Sequence, residues 1–395
     1  MSARSERLEQ FAIDVILGRR SGARATLLRS FLYALSLLYE RIVQLRLYLY
    51  RRRILRERTL GCLVISIGNL TVGGTGKTPI VEKFAKALRA GGRRVAILSR
   101  GYKSVAPTRR TFWQKIRGVD PDPPRVVSDG KALLLDSLTA GDEPYMLAQN
   151  LKDVAVIVDK DRVKSGRFAI KELKADTLLL DDGLQYLHLK HRLDIVLIDR
   201  QAPFGNEFLL PRGTLREPPR NLRRASYIFI TKSTGGSNAE LIKRIRRFNR
   251  IAEIIECAHR PLYLQNINTG EHLPLEVLRG TYIGALSGIA APESFENALR
   301  DLGAKVEVAK RYADHHRFAE PEIRNFINRC IRRDLAMVVT TEKDAVRFPP
   351  IANPEVPMYF MRVEIEILSG HETWEQCVAR ICQPHPMLSP ERFFA

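Results

Sequence analysis

Unbroken apolar runs alternate along most of this chain with stretches in which apolar positions recur every three or four residues. The runs are Leu63-Val64-Ile65-Ser66-Ile67, Val95-Ala96-Ile97-Leu98-Ser99, Arg125-Val126-Val127, Val154-Ala155-Val156-Ile157-Val158, Leu178-Leu179-Leu180, Asp194-Ile195-Val196-Leu197-Ile198-Asp199 and Tyr227-Ile228-Phe229-Ile230. Strands buried on both faces read this way, without polar alternation. The periodic stretches between them, such as Ile80 to Leu88 and Asp142 to Asn150, read as helices. Strand–helix alternation predicts an α/β fold: a mostly parallel sheet with helices on both faces. Further strands are predicted at Tyr282–Leu286, Lys305–Val308, Ala336–Thr340 and Met358–Ile367, as a smaller α/β C-terminal domain. Residues 259–278 read as a hairpin-like linker, with Asn268-Thr269-Gly270 as its turn.

The N-terminal arm follows a different pattern. Leu27 to Tyr50 is rich in leucine and tyrosine, and Arg51, Arg52, Arg53, Arg56 and Arg58 follow it. A spanning helix needs about 20 uninterrupted apolar residues. Arg29, Glu40, Arg41, Gln44 and Arg46 interrupt this one. The expectation is an amphipathic helix at a membrane surface, with tyrosines at headgroup depth and arginines on anionic lipid. A helix packed on the protein's own core is the alternative. The expected organisation is a basic membrane-surface arm at 1–58, a phosphate-loop nucleotide-binding core at 59–258, the linker at 259–278, and a smaller domain at 279–395 that closes the active-site cleft.

Composition sharpens this only in part. A chain of 395 residues is long enough for two domains. Its 64 Lys and Arg against 44 Asp and Glu give a net charge of +20, which implies an anionic partner: nucleic acid, anionic lipid or a phosphorylated substrate. Cys62, Cys257, Cys330, Cys377 and Cys382 are scattered and form no C-x-x-C pair, so neither a zinc site nor a disulfide framework is expected. A reducing compartment follows. The polar, charged start gives no sign of a cleavable signal peptide.

The chemistry concentrates where apolar runs end. Thr71-Val72-Gly73-Gly74-Thr75-Gly76-Lys77-Thr78 lies between a strand and a helix, the context of a phosphate-binding loop and of a P-loop-type sheet. Its glycines let backbone wrap an oxyanion, and the helix start offers unpaired N–H groups. Lys77 would reach the β- and γ-phosphates and the Thr78 hydroxyl would hold Mg²⁺. Thr71 stands where the usual pattern opens with glycine. Asp181 and Asp182, after three leucines, read as the carboxylates that hold Mg²⁺, against an ordinary strand-end turn. Gly141-Asp142-Glu143-Pro144 opens a helix, where Asp142 is either an N-cap or a functional carboxylate. Asp314-His315-His316 offers a histidine beside a carboxylate, a common arrangement for a general base. Arg100, Arg212 and Arg216 are candidates for positive charge around a γ-phosphate. In Thr231-Lys232-Ser233-Thr234, Thr234 stands where a guanine-specific site wants Asp. Adenine is the nucleotide base by default.

In order along the chain, these motifs resemble the tetraacyldisaccharide 4′-kinase family, the lipid A 4′-kinases of Gram-negative bacteria. The resemblance rests on Gly68 to Pro79, Ser99-Arg100-Gly101-Tyr102, Gly141-Asp142-Glu143-Pro144, Asp181-Asp182-Gly183-Leu184-Gln185, Gly205-Asn206 with Leu210 to Pro218, Asp314-His315-His316-Arg317-Phe318 and Thr341-Glu342-Lys343-Asp344-Ala345. It implies ATP and Mg²⁺ as cofactors. It also implies transfer of the γ-phosphate to the 4′-hydroxyl of a tetraacyl glucosamine disaccharide 1-phosphate at the cytoplasmic face of the bacterial inner membrane, by a peripheral or monotopic protein. Carried over, Asp142 is the base, helped by His315 or His316. Lys77 also serves the reaction, and Thr78, Asp181 and Asp182 hold the metal. Arg100, Gly101, Tyr102, Glu143, Gln185, Arg216 and Glu217 contact substrate. Leu184, Tyr186, Glu207, Arg212 and Thr214 depart from the family pattern.

Two rival readings stand beside it. A membrane-associated switch ATPase or GTPase shares the Gly-Gly-x-Gly-Lys-Thr loop and the basic surface. A nucleic-acid-binding protein rests on charge alone; no zinc finger and no RNP-type aromatic motif accompanies it, so it ranks last. No obligate protein partner is inferred.

Overall fold

The computed structural model describes residues 11–12, 14–16, 18–101 and 122–383. In chain order its strands are β1 (Leu63–Asn69), β2 (Val95–Ser99), β3 (Arg125–Ser128), β4 (Ala155–Val158), β5 (Thr177–Asp181), β6 (Leu193–Asp199) and β7 (Tyr227–Thr231). They continue as β8 (Glu253–Asn266), β9 (His272–Leu273), β10 (Tyr282–Ser287), β11 (Lys305–Arg311), β12 (Met337–Thr341) and β13 (Met358–Ser369). Every apolar run named above falls on one of them. The chain divides into two compact units that cut across the linear segments expected from sequence. One comprises Met1–Lys77, Thr177–Ala258 and Ile367–Ala395, and the other Thr78–Asp176 and His259–Glu366.

In the first unit β5, β1, β6, β7 and β8 pair side by side, all parallel. β1 is central, with Ile67 opposite Asp181 of β5 and Asn69 opposite Leu197 of β6. The ends of β1 and β5, where the glycine-rich loop and the aspartate pair begin, are thus set in register on one edge. Both faces of this sheet are covered. Ile228 and Ile230 join a cluster with Ile245, Leu241 and Ile242 of the helix Ala239–Arg246, on which Tyr39 also packs. Phe229, one residue out of phase, meets Trp374 of the helix His371–Cys382 with ring centroids 6.2 Å apart. The two-residue period of a strand sends neighbours to opposite helices. Gly68 is required at the end of β1, because a Cβ there would come within 2.7 Å of the Leu184 Cβ.

In the N-terminal arm Ala23–Arg51 forms a 29-residue helix. Its inner side meets the first unit through Tyr39 Oη, which donates to the Arg216 carbonyl (3.0 Å), and through Arg46, which donates to the Gln185 carbonyl (2.9 Å). Arg220 pairs with Glu40 at 2.7 Å. Leu27, Phe31, Leu38, Ile42 and Leu45, spaced four, seven, four and three residues apart, stay exposed along the other side. No helix among the described residues is long and apolar enough to cross a membrane.

In the second unit β11, β10, β12 and β13 run parallel, and β2 pairs parallel with β4, which carries the antiparallel edge strand β3. Val338 packs on Phe326 and Cys330 of the helix Glu320–Ile331. Its neighbours Met337 and Val339 pack with Phe295 and Leu299 of the helix Pro292–Asp301. The predicted turn at Asn268–Gly270 joins β8 to β9, antiparallel with Leu264 opposite Leu273.

A buried ionic cluster ties this unit together. Arg362 of β13 donates to both oxygens of Glu342 (2.7 and 2.6 Å) and to Glu82. Asn150, the last residue of the helix Asp142–Asn150, donates to Glu342 (2.6 Å) and Glu82 (3.3 Å). Burial pushes the Glu342 carboxyl up, against the opposing pull of Arg362.

Candidate active site

Two groups of candidate residues form, one in each unit. In the first unit the loop after β1 leaves Val72, Gly73 and Gly74 exposed. Thr71 bridges antiparallel to Leu215, an extended pairing that needs no glycine. The positive φ values fall instead on Gly73 (120°) and Gly76 (78°), which explains why threonine is tolerated at the opening position. A Cβ added at Gly73 or Gly74 would meet nothing within 4 Å, so the loop frames open space. Thr231 Oγ1 donates to the Thr75 carbonyl (2.9 Å) and Lys232 Nζ to the Gly74 carbonyl (3.0 Å), which fixes the loop from below. The Thr75 hydroxyl is buried and makes no hydrogen bond among the described residues. An open glycine cradle with a lysine at its base suits a polyphosphate.

Lys77 begins the helix Lys77–Ala90. Its Nζ donates to Asn69 Oδ1 (3.3 Å) and lies 3.6 Å from Asp182 Oδ1. Asp182 adopts the left-handed conformation (φ 53°) and accepts from Arg216 Nη1 at 2.7 and 2.8 Å. Arg216 is braced in turn: Gln185 Oε1 is 3.4 Å from Nη1, and Gln185 Nε2 donates to Glu217 Oε1 (3.1 Å). Glu217, almost fully buried, also accepts from Arg224 (2.8 Å) and Asn221 (2.8 Å). The first unit therefore gathers Lys77, Asp182, Gln185, Arg216 and Glu217. Asp181 is the buried last residue of β5. Arg212 takes no part in this group; it donates to the Ile16 carbonyl (3.2 Å) and covers the Phe208 ring.

In the second unit the candidate base is built on the helix Asp142–Asn150. Gly141, with φ 93°, is its N-cap, so Asp142 occupies the first helical position and its side chain makes no cap. His315, itself left-handed (φ 64°), places Nδ1 3.1 Å from Asp142 Oδ2. Arg317 Nη2 lies 2.9 Å from Asp142 Oδ1, and Arg347 Nε 3.6 Å from Oδ2. Oδ1 is buried yet accepts no well-aligned hydrogen bond among the described residues. Burial pushes the Asp142 carboxyl up, but the His315 hydrogen bond and the charges of Arg317 and Arg347 outweigh it and hold the group below the ordinary carboxylate range.

The two adjacent histidines are separated by their partners. His316 Nε2 meets Glu322 at 2.9 Å and its ring stacks on Tyr312, with centroids 4.5 Å apart, so it faces away from Asp142. Lys343 lies between Glu143 Oε1 (3.3 Å), Asp314 Oδ1 (3.6 Å) and His315 Nε2 (3.3 Å). Thr78 is buried in the first helical turn, and Arg100 is exposed after β2 with Gly101 following in a left-handed conformation. Tyr102 lies outside the described residues. Reading the sequence did not select Arg317, Arg347, Lys343 or Asn69, although all but Arg347 lie inside motifs already singled out.

A parallel sheet whose central strand ends in this loop, with a carboxylate–imidazole pair elsewhere on the chain, defines a phosphate-loop protein equipped with an acid–base group. The profile of a family described as tetraacyldisaccharide-1-P 4′-kinase (LpxK) matches residues 28–383. The chain belongs to that family. A tetraacyldisaccharide 4′-kinase of Syntrophus aciditrophicus is 38% identical over 349 residues, covering 84% of this chain and 87% of the relative. One from Anaeromyxobacter dehalogenans strain 2CP-C is 41% identical over 340 residues, covering 85% and 86%. The solved "apo" form of LpxK from Aquifex aeolicus, in complex with ATP, matches with a TM-score of 0.70 at 29% identity, over 90% of this chain and 99% of that one.

Proposed function

We propose that this chain transfers the γ-phosphate of ATP to the 4′-hydroxyl of a tetraacyl glucosamine disaccharide 1-phosphate, a step in making the lipid anchor of lipopolysaccharide. The observation that carries the reading is the Asp142–His315 pair, with Nδ1 3.1 Å from one carboxylate oxygen and Arg317 Nη2 2.9 Å from the other. A switch ATPase needs only to place a water molecule, whereas phosphoryl transfer to an alcohol calls for a base near the hydroxyl.

The chain's residues divide the work. The glycine-rich loop binds phosphate oxygens through backbone N–H groups, and Lys77 meets the charge on the β- and γ-phosphates. Arg216 adds a second cation, held in place by Gln185 and Glu217. Asp142 takes the proton from the acceptor hydroxyl. His315 holds the carboxylate through Oδ2, and it rather than His316 is the helper. Arg100, Gly101, Tyr102 and Glu143 are proposed on the acceptor side. Mg²⁺ would supply positive charge to the transferring phosphate. Thr78, Asp181 and Asp182 are the proposed ligands. Among the described residues no three His, Cys, Asp or Glu side chains converge on a metal, so nucleotide oxygens would have to complete the coordination.

The acceptor is a lipid, and the arm suits a surface that presents one. Its exposed stripe from Leu27 to Leu45 offers apolar area, and Arg51, Arg52, Arg53, Arg56 and Arg58 are all exposed just beyond it. This supports peripheral residence on the anionic cytoplasmic face of the bacterial inner membrane.

The test is incubation with γ-labelled ATP, Mg²⁺ and detergent-dispersed tetraacyl disaccharide 1-phosphate. Label in the lipid is expected, and its loss in Lys77→Ala. ATP hydrolysis that leaves the lipid unlabelled would favour the switch ATPase.

A further inference from the structure

Lys343 is the cation nearest the far side of His315, and the mechanism above leaves it unused. Its ammonium has three donors and three acceptors around it: Glu143 Oε1 at 3.3 Å, Asp314 Oδ1 at 3.6 Å and His315 Nε2 at 3.3 Å. The two carboxylates anchor it. The contact with the ring then has one consistent assignment. An ammonium has no lone pair to accept with, so Nε2 must be the acceptor, and the proton of a neutral imidazole sits on Nδ1. Nδ1–H is the atom that faces Asp142 Oδ2, at 3.1 Å.

We propose that Lys343 is a positioning residue for the Asp142–His315 pair: it holds the imidazole as the neutral Nδ1–H tautomer. The proposal rests on the kinase reading only for the importance of that pair; the tautomer itself is a property of the resting protein.

The charged groups around the pair among the described residues bear on this. From the helix Asp142–Asn150 come Asp142 and Glu143, from the ring's own loop Asp314 and Arg317, and from the segment after β12 Lys343, Asp344 and Arg347. Asp344 is engaged by Arg347 at 2.5 Å and by the Gly288 N–H at 3.0 Å. The Asp314 carboxylate would draw a second proton onto Nε2, but it lies 3.9 Å away and Lys343 stands closer. Without Lys343 the carboxylates dominate and the ring becomes imidazolium. An imidazolium beside Asp142 would hold its carboxylate more tightly and weaken it as a base.

The test has two readouts. Nitrogen-15 NMR of the full chain with labelled histidine, with the His315 signal among eight histidines assigned by its loss in His315→Gln, should show Nε2 unprotonated and Nδ1 protonated at neutral pH. In Lys343→Met the same ring should titrate as imidazolium there. The acid limb of kcat/KM for lipid labelling should move up by about one pH unit, with activity recovered at alkaline pH and KM for ATP unchanged. Lys343→Arg, which keeps a donor and a charge, should retain the wild-type spectrum and profile. A wild-type ring protonated on Nε2 overturns the proposal. So does a Lys343→Met loss that is uniform across pH with the His315 spectrum unaltered. Failure to label lipid with a normal wild-type spectrum would count against the kinase reading and leave the tautomer assignment intact.

Discussion

Asp142 is under opposed pressures: burial pushes its carboxyl up, and the His315 hydrogen bond together with the Arg317 and Arg347 charges prevails. With its carboxyl below the ordinary range, it is ionised throughout neutral pH and needs no proton loss before it can act. The linkage sign follows: a depressed carboxylate adds stability above its unfolded value, and the contribution disappears as pH falls through the folded one. Asp142→Asn keeps the shape and removes the proposed base. It should lower turnover by about 10²- to 10⁴-fold while the ATP dissociation constant stays nearly unchanged. Single-turnover labelling beside a direct nucleotide-binding titration checks this. A large rise in that dissociation constant with turnover preserved would instead give Asp142 a nucleotide or metal role. Lys77→Ala should lose transfer by orders of magnitude, because charge on the phosphate goes unmatched; unchanged turnover would remove the loop from the reaction. At this scale the sequence revealed the residues that sit in short local motifs. Arg347 was illegible because its meaning is three-dimensional. It is fully buried, it donates to the Gly288 and His316 carbonyls, and nothing in residues 341–347 announces those partners.

Among the elements, the strands were legible because burial on both faces leaves no polar alternation to confuse them. Helix starts were legible only in part. Gly141-Asp142 admits Asp142 as an N-cap, and the left-handed Gly141 settles that the cap is the glycine. The ties between elements were not legible at all. Glu82, Asn150, Glu342 and Arg362 come from four separate elements, and each alone looks like an ordinary surface residue. Arg362→Met should cost about 3–5 kcal/mol, since it leaves the buried Glu342 carboxylate without its cation and Glu82 with Lys86 alone. The loss has a pH signature. Glu342 has a raised folded pKa, so protonation favours the folded state, and stability is lost as pH rises from the ordinary glutamate range through the folded value. Urea melts of the variant should therefore show a smaller deficit at mildly acidic pH than above neutrality. A deficit that does not change with pH would mean the cluster's carboxylates are already neutral or paired elsewhere.

On the scale of the whole molecule, the interleaved units could not be read along the chain. The first closes only when strands far apart in sequence return to flank β1, so boundaries drawn from local composition cannot follow it. The net charge of +20 was legible from the start, but its use was not. The pair Leu38→Asp and Ile42→Asp changes only exposed positions. It should abolish flotation with anionic vesicles while leaving labelling of a detergent-dispersed acceptor near the wild-type rate; undiminished flotation would show that the arginines suffice. The Lys77–Asp182–Arg216 cluster bears on how such a basic protein meets a charged ligand. Its two cations already hold an anion of the chain's own. Uptake of a polyphosphate there is an ion exchange rather than a neutralisation: one resident anion yields its contacts to another. The favourable energy is then a difference between two anions. Nucleotide affinity at this site should accordingly respond to ionic strength far less steeply than the overall charge would suggest.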